Sequence, residues 1–111
     1  MFTQGEILEV AFPLPQANLR HPVIVISNNE IHQYESFFIG VMGTTKHMDD
    51  EFAYLLEDHM LTAPMPQPTE VRCHLLSIFT KRDVIGSFKV RVTPPYLKEI
   101  IRKIHDGTFK Q

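Results

Sequence analysis

Arg20 and His21 stand directly before Pro22 and a β-branched run, Val23–Ile26. A second apolar run, Phe37–Met42, leads into Gly43-Thr44-Thr45. If the two runs are neighbouring strands, a basic pair at one strand entrance and two hydroxyls at another strand's exit can converge on one phosphate. RNA carries its own nucleophile, the 2′-OH. Cutting it needs a base for that hydroxyl, an acid for the leaving 5′-oxygen and donors for the non-bridging oxygens. Histidine performs either proton transfer near neutral pH, while guanidinium and hydroxyl groups can donate to an oxyanion. The residue before a proline is held extended, and successive side chains of an extended chain point to opposite faces. Arg20 and His21 are therefore not expected to enter one pocket together unless the chain bends there. The sequence leaves open which of the two does.

Other chemistry finds less support. Six histidines (21, 32, 47, 59, 74 and 105) repeat no known metal-site spacing, and isolated surface or capping positions are expected for them. No metal and no cofactor is expected. The five glycines are scattered, so there is no phosphate-cradling loop. The single cysteine, Cys73, excludes a disulfide within the chain and reads as a small inert hydrophobe in a strand. A formal net charge of −2 argues against a protein that coats nucleic acid indiscriminately. Five of the eleven cationic residues nevertheless fall within Arg72–Arg91, either a solvated hairpin surface or a local basic patch.

The elements that must position these groups are mostly short strands. Glu6–Phe12 alternates as a half-buried strand ended by Pro13-Leu14-Pro15, and Val23–Ile26 suits a strand buried on both faces. Pro13–Leu19, with two prolines and little apolar content, reads as a mobile loop over the site. A helical turn is expected around Ile31–Tyr34. Strands are expected at Phe37–Met42, Phe52–Leu56 and Val71–Phe79, and over Val84–Val92 with a bend near Gly86. Thr93 is placed as the N-cap of a final helix, with Pro94 at its first position, Leu97, Ile100, Ile101 and Ile104 on one face, and Gly107 as its stop. This order predicts a mainly β chain, a small β-barrel carrying a C-terminal amphipathic helix, in a single domain over residues 1–111. No apolar stretch approaches the roughly 20 residues of a membrane span, and the opening MFTQGEILEV lacks a basic leader. The expectation is a cytoplasmic protein that does not engage membranes.

One order of motifs carries a family likeness. Gly5-Glu6, a hydrophobic strand, a loop, His21-Pro22-Val-Ile-Val-Ile-Ser27-Asn28 and the strand Phe38–Met42 leading to a threonine come first. Glu70-Val-Arg-Cys73, Ser77-Ile-Phe-Thr80, Ile85-Gly86 and the terminal helix follow. Over about residues 5–105 this order resembles the MazF/PemK/Kid family of toxin endoribonucleases. The resemblance implies an SH3-like β-barrel, a homodimer, metal-independent cleavage of single-stranded RNA to 2′,3′-cyclic phosphate and 5′-hydroxyl ends, and an antitoxin protein that blocks the groove. The family's catalytic arginine precedes the proline, where this chain has His21, with Arg20 one step earlier. Its threonine matches Thr44, with Thr45 as the one-residue alternative. Its Arg-Thr-x-Asp meets Phe79-Thr80-Lys81-Arg82-Asp83, so the arginine has become Phe79. The candidate catalytic residues are thus His21, Arg20 and Thr44, and the candidate nucleic-acid contacts are Thr45, Lys46, Thr80, Lys81 and Arg82. The alternative is a degenerate module of the same fold that binds an antitoxin peptide or nucleic acid without cutting. A gyrase inhibitor of the CcdB type fits less well, because this chain has no Trp-Gly-Ile end.

Overall fold

A computed structural model describes residues 2–14 and 17–111, with backbone only for 12–14 and 17–19. Six antiparallel strands form one sheet in the order β4-β5-β3-β2-β1-β6. They are β1 Glu6–Leu14, β2 Ala17–Val25, β3 Phe37–Thr44, β4 Ala53–Leu56, β5 Thr69–Thr80 and β6 Val84–Arg91. A short helix, α1 (Asn29–Tyr34), follows β2, and α2 (Pro94–Ile104) follows β6. The ladder itself does not close. Its edges meet through an isolated bridge, Leu61 to Val92, beside which the Thr62 amide donates to Arg91 O at 3.0 Å. The result is barrel-like, with α2 packed against the inner face.

Hydrophobic pattern explains both faces of the sheet. Ile7, Ile24, Val41, Val71, Cys73 and Val90 share one core cluster with Leu97, Ile100 and Ile104 of α2. Leu8, Val10, Val23, Val25, Phe38 and Phe79 form a second cluster on the other face. β1 therefore buries both parities of its first half rather than alternating core and solvent, because an aromatic pair (Phe38 stacked on Phe79, centroids 5.4 Å apart) covers the outer face. Gly40 sits between these layers. A Cβ there would collide with Val23 Cγ1 and crowd the rings of Phe38 and Phe79.

Several boundaries differ from the sequence reading. β1 continues past Phe12 to Leu14, and β2 begins at Ala17, with Pro13 opposite Asn18 and Leu14 opposite Ala17. The expected loop is thus largely hairpin, and its expected mobility lies outside the described residues. β5 is longer than expected and bent. Between the pairs Val41–Leu76 and Gly43–Val71, one residue of β3 faces four of β5, so β5 turns from β3 towards β4. Near Gly86, β6 is bulged rather than divided, since Glu9 faces Gly86 while Val10 faces Val84. Thr93 does stand at the N-cap of α2, but its hydroxyl donates to Met60 O (3.1 Å) instead of capping. Gly107 does not stop the chain's helical course, which widens into a π-type turn over His105–Phe109.

His32 corrects the expectation of surface histidines. It is buried, its Nδ1 donates to Phe2 O at 2.9 Å, and its Nε2 lies 2.7 Å from Ser27 Oγ. The Ile39 amide donates to the same hydroxyl at 2.9 Å. The ring therefore ties α1 and the N-terminal segment to β3.

Candidate functional site

Strand register brings the two ends of the basic–hydroxyl set together. Val23 faces Met42, Ile24 faces Val41 and Val25 faces Gly40, so the register brings His21, midway along β2 rather than at a strand entrance, level with Thr44 at the end of β3. His21 Nδ1 sits 3.3 Å from Gly43 O. A carbonyl only accepts, so Nδ1 donates and the neutral ring keeps Nε2 as its basic nitrogen. Gly43 permits this close approach. A Cβ at that position would stand 3.0 Å from Thr69 Cγ2 and 3.2 Å from Pro22 Cγ. Thr44 Oγ1 accepts from the Lys46 amide at 3.0 Å, which leaves its own O–H able to donate.

Arg20, His21, Thr44 and Thr45 all line one cleft of about 410 Å³. This differs from the expectation that the two residues would share a pocket only if the chain bends there. Alternation itself holds, since Arg20 pairs with Ala11 and His21 with Val10. However, β3 pairs only with Val23–Val25 of β2, so the strand is unflanked on that side at residues 20–21 and both faces are reached from its edge.

Glu9 also lines the cleft, and its Oε1 lies 3.8 Å from Arg20 Nη1. The opposite wall consists of Met65, Pro66, Gln67 and Thr69 from the approach to β5, with Phe88 of β6. None of these was picked out from the sequence. Glu9 alternated with apolar neighbours like any solvent-facing strand residue, and the opposing wall is set by contacts distant in sequence.

The remaining candidates lie elsewhere. Lys46 is exposed just beyond Thr45 and does not line the cleft. Thr80 faces Phe37, at the opposite end of β3 from Thr44. Its amide and hydroxyl bond Asp83 Oδ2 at 2.8 and 3.3 Å, a local capping arrangement. Lys81 lines a separate cavity of about 620 Å³ with Phe2, His32 and Val84. Arg82 is exposed in the same turn. Thr80, Lys81 and Arg82 are therefore not brought to the His21–Thr44 end. Phe79 is core and faces Phe38, also away from the His21–Thr44 end.

Beneath the Thr44–Thr45 turn lies an ion-pair network. Arg72 Nη1 and Nη2 donate to Asp50 Oδ1 and Oδ2, both at 2.8 Å, and Nη1 also donates to Glu70 Oε2 at 3.1 Å. The Glu70 carboxylate accepts from the amides of Met48 (3.2 Å) and Asp49 (3.1 Å), holding Asp49 in the left-handed region at φ 50°. Hydrogen bonding to Arg72 pulls the Asp50 carboxyl down to about 2. Burial alone would raise Glu70, yet the two amides and Arg72 together hold it below the ordinary value. Arg72 in turn is raised, chiefly by its bond to Asp50 and against the effect of burial. Since Glu70 faces Thr44 in the β3–β5 register, the network anchors the loop that leaves the cleft. Among the described residues, no group of three or more His, Cys, Asp or Glu is arranged to hold a metal ion.

A family model described as the PemK-like, MazF-like toxin of type II toxin–antitoxin systems matches residues 3–106. The chain belongs to this family. The PemK-like fold is also seen in solved structures at low identity. An endoribonuclease from a mycobacterial species, in complex with its cognate antitoxin, aligns with a TM-score of 0.74 at 15% identity, covering 96% of this chain and 93% of that one. MazF from Deinococcus radiodurans aligns with a TM-score of 0.75 at 16% identity, covering 95% and 94%. The MazE–MazF complex from the same organism gives a TM-score of 0.72 at 14% identity, covering 96% and 97%. Among curated proteins, none matches the sequence significantly. Among the described residues, no helix of this PemK-like chain is long and apolar enough to cross a membrane.

Proposed function

We propose that this chain is a cytoplasmic toxin that cleaves single-stranded RNA at specific sequences, without metal, by attack of the 2′-OH on the adjacent phosphate. The observation that carries this reading is the convergence of His21, Arg20 and Thr44 on one cleft in a PemK-family chain. His21 moves a proton through Nε2, Arg20 balances phosphate charge, and Thr44 donates to a non-bridging oxygen. Thr45 and Lys46 follow the strand end and guide the RNA backbone. The chain works as a two-fold homodimer, for which the half-exposed Ile101 on the otherwise buried apolar stripe of α2 offers contact surface. An antitoxin protein holds it silent; the structurally similar mycobacterial endoribonuclease is seen in complex with its cognate antitoxin.

The test is a digest of a long single-stranded RNA with EDTA present. Wild type cuts at defined sites, and His21→Ala loses about 10²–10⁴-fold, the usual range for a group that transfers a proton. Thr44→Ala loses less, being one of several donors. Activity varies with pH as the imidazole gains and loses its proton. If His21→Ala cuts as well as wild type while Arg20→Ala is dead, the roles of the two residues are exchanged. Intact RNA with wild type favours the second reading, a module that binds an antitoxin peptide or RNA without cutting. That reading draws on Phe79, where the resembled family carries an arginine and this chain has a buried core ring.

A further inference from the structure

Metal-free cleavage through the 2′-OH needs two proton transfers, and the cleft offers few groups able to make them. Arg20 stays protonated at any working pH, and threonine hydroxyls and the Gln67 amide do not ionise. Among the described residues lining the cleft, His21 and Glu9 supply the imidazole and the carboxylate, the two group types suited to exchange a proton with the reacting oxygens. Glu9 is about one-third exposed, its carboxylate faces the Arg20 guanidinium at 3.8 Å, and both belong to the same cleft wall. Resting on the ribonuclease reading above, we propose that Glu9 is the general base for the 2′-OH, which assigns His21 as the general acid.

The step balances as follows. Glu9 takes the 2′-hydroxyl proton as the 2′-oxygen bonds to phosphorus. The phosphorus–5′-oxygen bond breaks, and imidazolium His21 gives its Nε2 proton to the departing oxygen. A 2′,3′-cyclic phosphate and a 5′-hydroxyl result, and the two side chains end with exchanged protons that solvent restores. Arg20 contributes in two ways. It faces the Glu9 carboxylate at 3.8 Å, and it neutralises the phosphate that would otherwise repel a carboxylate. Among the other described residues lining the cleft, none adds competing charge. Glu9 is flanked on β6 by Gly86 and Ser87, and the opposite wall holds Met65, Pro66, Gln67, Thr69 and Phe88, all uncharged. On β2 it pairs with Pro22 and meets Arg20, while His21 pairs with Val10 of β1 and bonds to Gly43 of β3. Residues 12–19 carry no ionisable side chain.

The test is the pH–rate profile of cleavage in EDTA, on an oligonucleotide spanning a mapped cut site. Wild type gives a bell. Activity rises as a carboxylate deprotonates and falls as a histidine does. Glu9→Gln, which keeps size and fold, loses about 10²–10⁴-fold and its profile loses the rising limb. Glu9→Asp recovers part of the rate and keeps the limb. Binding of the same oligonucleotide with a 2′-deoxy nucleotide at the cut site changes little in Glu9→Gln, which separates loss of a base from loss of substrate. A Glu9→Gln protein that keeps the rising limb, even at lower rate, overturns the proposal, because the limb then belongs to another group. If wild type cuts and Glu9→Gln cuts equally well, only this proposal falls. If wild type does not cut, the ribonuclease reading falls and takes the proposal with it.

Discussion

Replacing Arg72 by methionine keeps most of the stem's volume and removes the guanidinium on which three hydrogen bonds depend. The two lost partners are not equivalent. The Asp50 side chain is 39% exposed and water can take over its solvation. Glu70 is 4% exposed and cannot be rehydrated in place, so its charge stays buried with two amide donors in support. Breaking a buried pair by deleting one partner costs about 3–5 kcal/mol, and the retained amides put this case near 3. Against a total stability of about 5–15 kcal/mol that is a large share. For a chain of this size it lowers the melting temperature by about 12 °C, taking roughly 4 °C per kcal/mol. Urea unfolding followed by circular dichroism should show the lower midpoint. Trypsin should cut sooner at Lys46, because the loop held by Glu70 loses the partner that fixes the carboxylate. The double variant Glu70→Gln with Arg72→Met removes both charges and should recover part of the loss. A single variant within about 1 kcal/mol of wild type would refute the anchor, as would a double variant no better than the single one.

Three further outcomes follow from the geometry. Gly40→Ala forces a methyl into Val23 and the stacked rings of Phe38 and Phe79, and should cost about 1–3 kcal/mol in urea unfolding; an unchanged midpoint would mean the layers are loosely packed. Burial pushes the Cys73 thiol up to about 11, so a disulfide reagent at pH 8 should leave the native protein unmodified and label it only after unfolding; rapid native labelling would contradict this. Because the Asp50 carboxyl is depressed from 3.8 to about 2, its contribution is complete above about pH 4 and is lost as pH falls towards 2. The drop in urea midpoint across that window should shrink in Arg72→Met, and an equal drop in both proteins would assign acid sensitivity to other carboxylates.

The parts of the fold legible in the sequence were those whose cause is local. Pro22 and four β-branched residues force a buried strand, Pro94 opens a helix, and the 3.6-residue spacing of Leu97, Ile100 and Ile104 selects its inner face. The buried roles of Glu70 and Arg72 were not legible. Both look like the polar half of an alternating strand, and they are internal because Asp50 and the amides of 48 and 49, about twenty residues earlier, come to meet them. The bend of β5 hides for the same reason, since three extra residues in a strand change no local periodicity that a reader could count. His32 likewise gave no sign of burial, as its partners, Phe2 O and Ser27 Oγ, belong to separate segments.

The basic pair shows how a sound local rule can give a wrong exclusion. Extended geometry before Pro22 does send Arg20 and His21 to opposite faces, as their pairing with Ala11 and Val10 records. The exclusion assumed a pocket confined to one face. Here the third strand stops pairing with the second at Val23, and a wall from the approach to β5 leans over the gap. The cleft therefore wraps the strand's unflanked edge, and its two faces supply different chemistry. Arg20 stands with Glu9 on one side, and His21 bonds towards Gly43 on the other. A substrate phosphate lying across that edge would meet a carboxylate–guanidinium pair and an imidazole from opposite directions. Attack and departure in an in-line displacement need their proton acceptor and donor in that relation. Moving either residue by one position would put both on a single face, so the dipeptide order Arg-His followed by Pro22 is the feature on which the site depends.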